Sequence, residues 1–424
     1  MKRLWLTLAA LAALSTGLVA EDAPFGALTL PSPASVSAPS PAAAAVPAER
    51  EWLVLVFING VNDLGMLGDA EKDINEMEAV GSTDKVAVLA EYGLMGSDDD
   101  SNLRFQRGTK TLYITRDEDP EEITSPVIYS SNDSDMGSAA NLVRFARRGL
   151  RLYPARKLAV VVWNHGAGLQ GISFDDVSRN HIEIDSLGRA MEEISRAAGR
   201  KIDVFATDAC RMQMAEVAYE LRNAASVVVG SEETISDAGY PYAPILRRLA
   251  ANPSMNAERL GALIVDEYIA SCSDNATLSA VRTAALPTFV KALDNWVSAI
   301  RSDPAALAAA SDKTLTDSVS HFSNKDSKDL VDYIDKVDAS PRAGGRVRVA
   351  GAALRNYISG ALLIRSGALP AGPPPDGDPY TAANGLAVYI PDLRYASDNY
   401  ERLAFAADSL WDDYLLDMMR ERLK

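Results

Sequence analysis

Cys210 and His165 are the residues of this 424-residue chain whose type and setting suit nucleophilic chemistry. A cysteine attacks as its thiolate, and an adjacent imidazole can take the proton and later give it to a leaving group. Cys210 follows the run IDVFATDA, and His165 follows KLAVVVWN. Both runs have the length and composition of strands buried on both faces. In open parallel sheets, functional groups collect just beyond the carboxyl ends of the strands. Neighbouring strands lie about 5 Å apart, so if these two are neighbours their side chains face each other across a shallow cleft. That is the geometry a thiol nucleophile and its base require. A helix is expected to open at Cys210 and run to about Arg222, and its unpaired amides and dipole would favour the anion. Gly166 has no side chain, so its N–H and that of Cys210 are the natural donors to an oxyanion. Of the other two histidines, His181 lies in a polar run and His321 in a region without matched partners; both read as structural or surface residues.

The elements that hold these residues alternate. Buried strands are expected at 52–58, 85–91, 157–163, 202–206 and 226–229. A hairpin is expected at 103–115, with Gly108 near its turn. Helices are expected at 69–80, 136–152 and 185–198, the last capped by Asp185. A loop covers 230–242. Later helices fall near 255–272, 286–301, 326–337 and 343–358, with strands at 361–365 and 385–390 and a loop at 370–379. This pattern specifies an α/β fold, with a mostly parallel central sheet flanked by helices on both faces and additional C-terminal helices and strands. The expected core spans 51–282, and a C-terminal helical extension with late strands, 283–424, packs on it.

Composition narrows the function. The chain carries 42 basic and 58 acidic residues, a formal charge of −16. That balance argues against nucleic acid or an anionic membrane as partner. Lys2 and Arg3 precede an apolar run and small residues ending at Ala20, the pattern of an export signal over 1–20. Residues 21–50 are rich in Pro, Ala and Ser and read as a linker or pro-segment. The protein is thus expected to be exported, to a periplasm or out of the cell. Export would permit a disulfide between the two cysteines, Cys210 and Cys272. Cys272 falls in a predicted helix among apolar neighbours and reads instead as a buried, inert thiol.

The chain resembles the clostripain family of cysteine peptidases, within the group that shares the caspase-like α/β/α sandwich. The resemblance runs from about Glu51 to the C-terminus. It is strongest in LAVVVWNHGAG and DVFATDACRMQMAEVAYEL, and weaker in NGVNDLG, KDINEMEAVG, GSEETISDAGYPY and GLAVYIP. It implies His165 as base, Cys210 as nucleophile, and cleavage after Arg or Lys. Asp208 matches the carboxylate at the base of the specificity pocket and, two residues from Cys210, shares its side of the strand end. A second pocket acid comes, in the family, from the loop holding Glu232, Glu233 and Asp237; Asp237 is the first choice. Self-cleavage between the histidine and the cysteine is a family habit, and Arg179 is the candidate, with Arg200 and Lys201 as alternatives. Some members are stimulated by calcium, but the acids at 98–100 and at Asp175 and Asp176 lack the spacing of a calcium loop. The sequence itself requires no cofactor.

The expected partners are protein or peptide substrates with basic residues, with neither nucleic acid nor membrane; a monomer is expected. Two rival readings use the same cleft. One is a non-catalytic module that binds basic peptides, and the other a peptidase or transpeptidase specific for asparagine.

Overall fold

The computed structural model describes residues 49–95, 108–132, 135–369, 382–391 and 400–424. The export signal, nearly all of the 21–50 segment, the acids at 98–100 and the loop at 370–379 lie outside the described residues. Residues 47–424 cluster as one compact unit. Among the described residues, no helix is long and apolar enough to cross a membrane.

The strands, in chain order, are β1 (Arg50–Gly60), β2 (Val86–Leu94), β3 (Gly108–Tyr113), β4 (Val127–Ser131), β5 (Ala155–Trp163), β6 (Ile172–Asp175), β7 (Asn180–Ile182), β8 (Ile202–Asp208), β9 (Ala225–Gly230), β10 (Ala276–Arg282), β11 (Ser327–Asp329), β12 (Leu363–Leu369) and β13 (Ala387–Tyr389). Nine of them form one sheet in the order β12-β10-β9-β8-β5-β1-β2-β3-β4. Its centre, β9-β8-β5-β1-β2, is parallel, and both edges are antiparallel. The two strands expected to carry the histidine and the cysteine, β5 and β8, are neighbours, with Trp163 opposite Asp208.

Alternation along β1 divides its side chains between two cores. Leu53, Leu55 and Phe57 pack on one face with Leu142, Phe145 and Ala146 of the helix Ala139–Leu152. Trp52, Val54, Val56 and Ile58 pack on the other with Ala70, Ile74 and Met77 of the helix Asp69–Glu78. A strand covered on both faces needs apolar residues at every position, which is why its sequence is a continuous run.

Three local expectations are corrected. No helix opens at Cys210: the next helix is Ala215–Glu220, six residues long and five positions further on. Asp185 is not a cap; the N-cap of the helix Ile184–Ala198 is Glu183, and Asp185 instead pairs with Arg189 at 2.9 Å. Of the hairpin expected at 103–115, residues 103–107 lie outside the described residues, and Gly108 is a strand residue rather than part of a turn. It opens β3 at φ +119, and β3 pairs with β2 and β4.

Candidate active site

Three strand ends and one loop build the site. Past β5, Asn164 fixes the chain. Its N–H reaches Asp208 O at 3.2 Å, its Nδ2 donates to Asn59 O at 2.6 Å, and its Oδ1 accepts from Phe174 N–H at 2.6 Å. His165 follows. A Cβ placed on Gly166 would lie 2.3 Å from the carbonyl oxygen of Cys210, so the histidine and cysteine segments touch through a residue that must be glycine. The Gly166 and Cys210 N–H groups donate no hydrogen bond to any described residue. His165, Cys210, Asp208 and Asp237 line a single cleft of about 470 Å³, together with Trp163 and residues 234–236.

His165 has a partner that sequence reasoning missed. Its Nε2 lies 2.7 Å from Asp63 Oδ1. Asp63 opens a short helix after β1, capped by Asn62, whose Oδ1 accepts from Leu64 N–H. The hydrogen bond from His165 holds the Asp63 carboxyl below the usual range. NGVNDLG offers the acid, but only the pairing of β1 with β5, seen in the assembled sheet, brings it to His165.

Cys210 Sγ accepts a hydrogen bond from Ile235 N–H at 3.4 Å. Burial pushes its thiol above the ordinary value, against the opposing pull of that bond and of Arg211. The resting thiol therefore keeps its proton at neutral pH, contrary to the expectation built on a helix N-terminus. Both cysteines are free, and Cys272 is half-buried just past the helix Ala257–Ser271.

Asp208 is buried. Its Oδ2 accepts from Tyr240 N–H at 3.0 Å and Tyr242 O–H at 2.9 Å, while its Oδ1 has no hydrogen-bond partner. Burial raises this carboxyl to about 7. The loop 230–242 separates the other candidate acids. Asp237 is exposed at the cleft. Glu232 and Glu233 are buried and turned away, accepting from Gly385 and Ser323 N–H. Arg179 is exposed at the turn between β6 and β7, with φ +57. Arg200 and Lys201 are tied to the backbone carbonyls of Arg156 and Arg222. His181 stacks on Phe174, and His321 lies in a separate hollow beside Lys328. Asp175 is consumed by its own turn, accepting from the N–H groups of Val177, Ser178 and Met136.

Comparison with known proteins bears on the fold and the family. The model of the clostripain family matches residues 56–417. Clostripain of Hathewaya histolytica is 26% identical over 216 residues, which span 47% of this chain and 40% of that protein. The chain therefore matches less than half the length of that relative. A secreted C11 cysteine protease from Bacteroides thetaiotaomicron, solved with an irreversible peptide inhibitor, superposes with TM-score 0.64 at 18% identity, covering 86% of this chain and 100% of that one. An inactive zymogen C11 protease from Parabacteroides distasonis gives TM-score 0.63 at 19% identity, covering 86% and 99%. At these identities the structures establish the fold, and the family model, reaching from β1 almost to the C-terminus, establishes kinship: the chain belongs to the clostripain family.

Proposed function

We propose that this protein is an exported cysteine endopeptidase that cleaves after Arg or Lys through Cys210 and His165. The observation that carries the reading is the single cleft lined together by a thiol, an imidazole and a buried acid with an unpartnered oxygen, past the ends of β5 and β8. Export is supported by the signal-like residues 1–20, and by the description of the similar Bacteroides protein as secreted.

The chemistry follows from proton accounting. With Nε2–H given to Asp63, His165 keeps Nδ1 for the thiol. Because burial holds the Cys210 proton in place, sulfur attacks the scissile carbonyl as Nδ1 takes that proton. The N–H groups of Gly166 and Cys210 receive the oxyanion. The imidazolium, held by the Asp63 carboxylate, then protonates the leaving amine. Water, deprotonated by the same nitrogen, hydrolyses the thioester and returns the proton to sulfur. Asp208 Oδ1 takes the basic side chain; arginine, with a planar fork of donors, fits it better than lysine. Asp237 adds charge at the rim. Nothing in this cycle calls for a metal or an organic cofactor.

Self-cleavage after Arg179 is part of the proposal. The exposed turn offers the bond, but left-handed backbone at Arg179 must first open into the extended form a peptidase cleft takes. Intact-mass analysis of the parent, Cys210→Ala and Arg179→Gln proteins tests it; a cut elsewhere in the parent refutes the site.

The main test compares peptides with Arg, Lys or Asn before the scissile bond, using the parent, Cys210→Ala and Asp208→Asn. Activity surviving Cys210→Ala rejects the mechanism. Turnover after Asn equal to that after Arg rejects the specificity.

A further inference from the structure

One buried acid beside the cleft has no part in that cycle. Asp73 lies on the helix Asp69–Glu78, is only 3% exposed, and accepts a hydrogen bond from Trp163 Nε1–H at 2.5 Å. A Cβ on Gly239 would fall 2.8 Å from Asp73 Oδ2 and 3.1 Å from Asp208 Oδ2. Two acids from different elements thus converge on one glycine, whose missing side chain leaves the space between them open. Trp163 and Asp208 are opposite one another in the sheet, and both face the side on which the Asp73 helix packs. Among the described residues no cation hydrogen-bonds to either acid, although the charge of Asp73 reaches Lys72. Lys72, the nearest basic residue on the helix, is bonded to Asp69 at 2.7 Å with its side chain 70% exposed. The remaining charges facing the pair, Glu76 and Asp69, are negative, and Tyr240 and Tyr242 are neutral donors.

We propose that Asp73 is a second carboxylate of the pocket for the substrate's basic side chain, and that it shares with Asp208 a proton that leaves when the side chain enters. The inference rests on the reading of cleavage after Arg or Lys. Two like charges this close and this buried do not both ionise unaided. Burial pushes both carboxyls up, and the charge of Asp208 pushes Asp73 further. The empty pair therefore holds one proton and one negative charge near neutrality. An entering guanidinium brings one positive charge, the pair gives its proton to solvent, and the site's net charge is unchanged. The Asp208 Oδ1 that now lacks a partner accepts one edge of the fork, and Asp73 accepts another. Asp237, at the exposed rim, does not take part in this exchange.

The test is calorimetry on full-length Cys210→Ala, with a peptide carrying arginine at the scissile position and its neutral citrulline twin. Titration at pH 6.5 in buffers of different ionisation enthalpy should report about one proton released per arginine peptide, and affinity should strengthen as pH rises towards 7, by up to about tenfold per pH unit. The citrulline peptide should release none. Adding Asp73→Asn, which keeps an acceptor for Trp163, should reduce the release to the fraction that buried Asp208 supplies alone and cut the arginine-over-citrulline preference at pH 8 by about tenfold. An arginine preference without proton release at pH 6.5, or one unchanged by Asp73→Asn, overturns the role of Asp73 while leaving the specificity standing. Should that variant fail to fold, Asp73→Ser in the same background decides by the same two readings. No arginine preference at all removes the specificity reading, and this proposal with it.

Discussion

Replacing Gly166 with alanine puts the contact between the histidine and cysteine segments under direct strain. The new Cβ would sit 2.3 Å from the Cys210 carbonyl oxygen, and 2.9 and 3.0 Å from the Met212 side chain. Met212 can turn aside, but the carbonyl belongs to backbone. Ordinary contact begins near 3.4 Å, so the two segments must part by roughly 1 Å. A displacement of that size at a reacting centre costs on the order of 100-fold in rate. Overpacking of this kind also costs about 1–3 kcal/mol of stability. Gly199→Ala is the control. That glycine has left-handed backbone, at φ +68, which Gly166 does not, but nothing lies within 4 Å of its Cβ. It should lose about 1–2 kcal/mol of stability and no activity. The assays are kcat/KM on an arginyl reporter and chemical denaturation for both variants. A Gly166→Ala protein as stable as the parent, and within threefold of its kcat/KM, refutes the close approach.

Other expectations concern protons. Asp63→Asn should lower kcat by about 10²-fold or more while leaving KM within a few-fold, because the imidazolium loses the carboxylate that orients and balances it; an unchanged kcat removes Asp63 from the mechanism. The rate at which iodoacetamide labels Cys210 in the free enzyme should rise with a midpoint above that of an ordinary thiol, following the effect of burial, and a midpoint near 6 would instead indicate a preformed thiolate. Stability should fall as pH rises from 5 to 8. Glu216, buried against Tyr389 N–H and Tyr400 O–H, is raised to about 7, so the folded state binds more protons than the unfolded chain between about 4.5 and 7. That contribution is complete below the unfolded value, amounts to about 3 kcal/mol, and is lost as pH rises through 7. Glu216→Gln should flatten the profile in urea denaturation, whereas stability climbing over this range would contradict the assignment.

The parallel centre of the sheet was legible because strands covered on both faces must be apolar throughout, and such runs as WLVLVFI and KLAVVVW are hard to mistake. The antiparallel strand β10 was missed for a physical reason. Its buried Thr277 and Ser279 break the apolar run, since they serve hydrogen bonds to Glu232, Glu233, Gln213 and Gly385 rather than packing. The segment after Cys210 misled because MQMAEVAYEL has helical composition, yet its first residues pair with distant chain instead. His165, Cys210 and Asp208 could be placed at strand ends from order alone. Asp63 and Asp73 could not, because their roles depend on which strands are adjacent and which helix face packs over Trp163, and both are fixed only by the assembled sheet.

The segment that carries the thiol leans on chain made much later. Gln213 O accepts from Ala387 N–H at 3.0 Å, Glu216 takes Tyr389 N–H, and Trp411 Nε1–H closes on Tyr389 O. At about 5–20 residues per second, a ribosome needs roughly ten to thirty-five seconds to travel from Cys210 to Ala387. Throughout that interval the Cys210 segment has only its early partners, Arg211 N–H on Glu233 O and Gln213 N–H on Ser231 O, and lacks the layer that residues 387–411 later lay against it. The part of the molecule made last is thus a wall of the segment that bears the thiol, although it lines no part of the cleft itself.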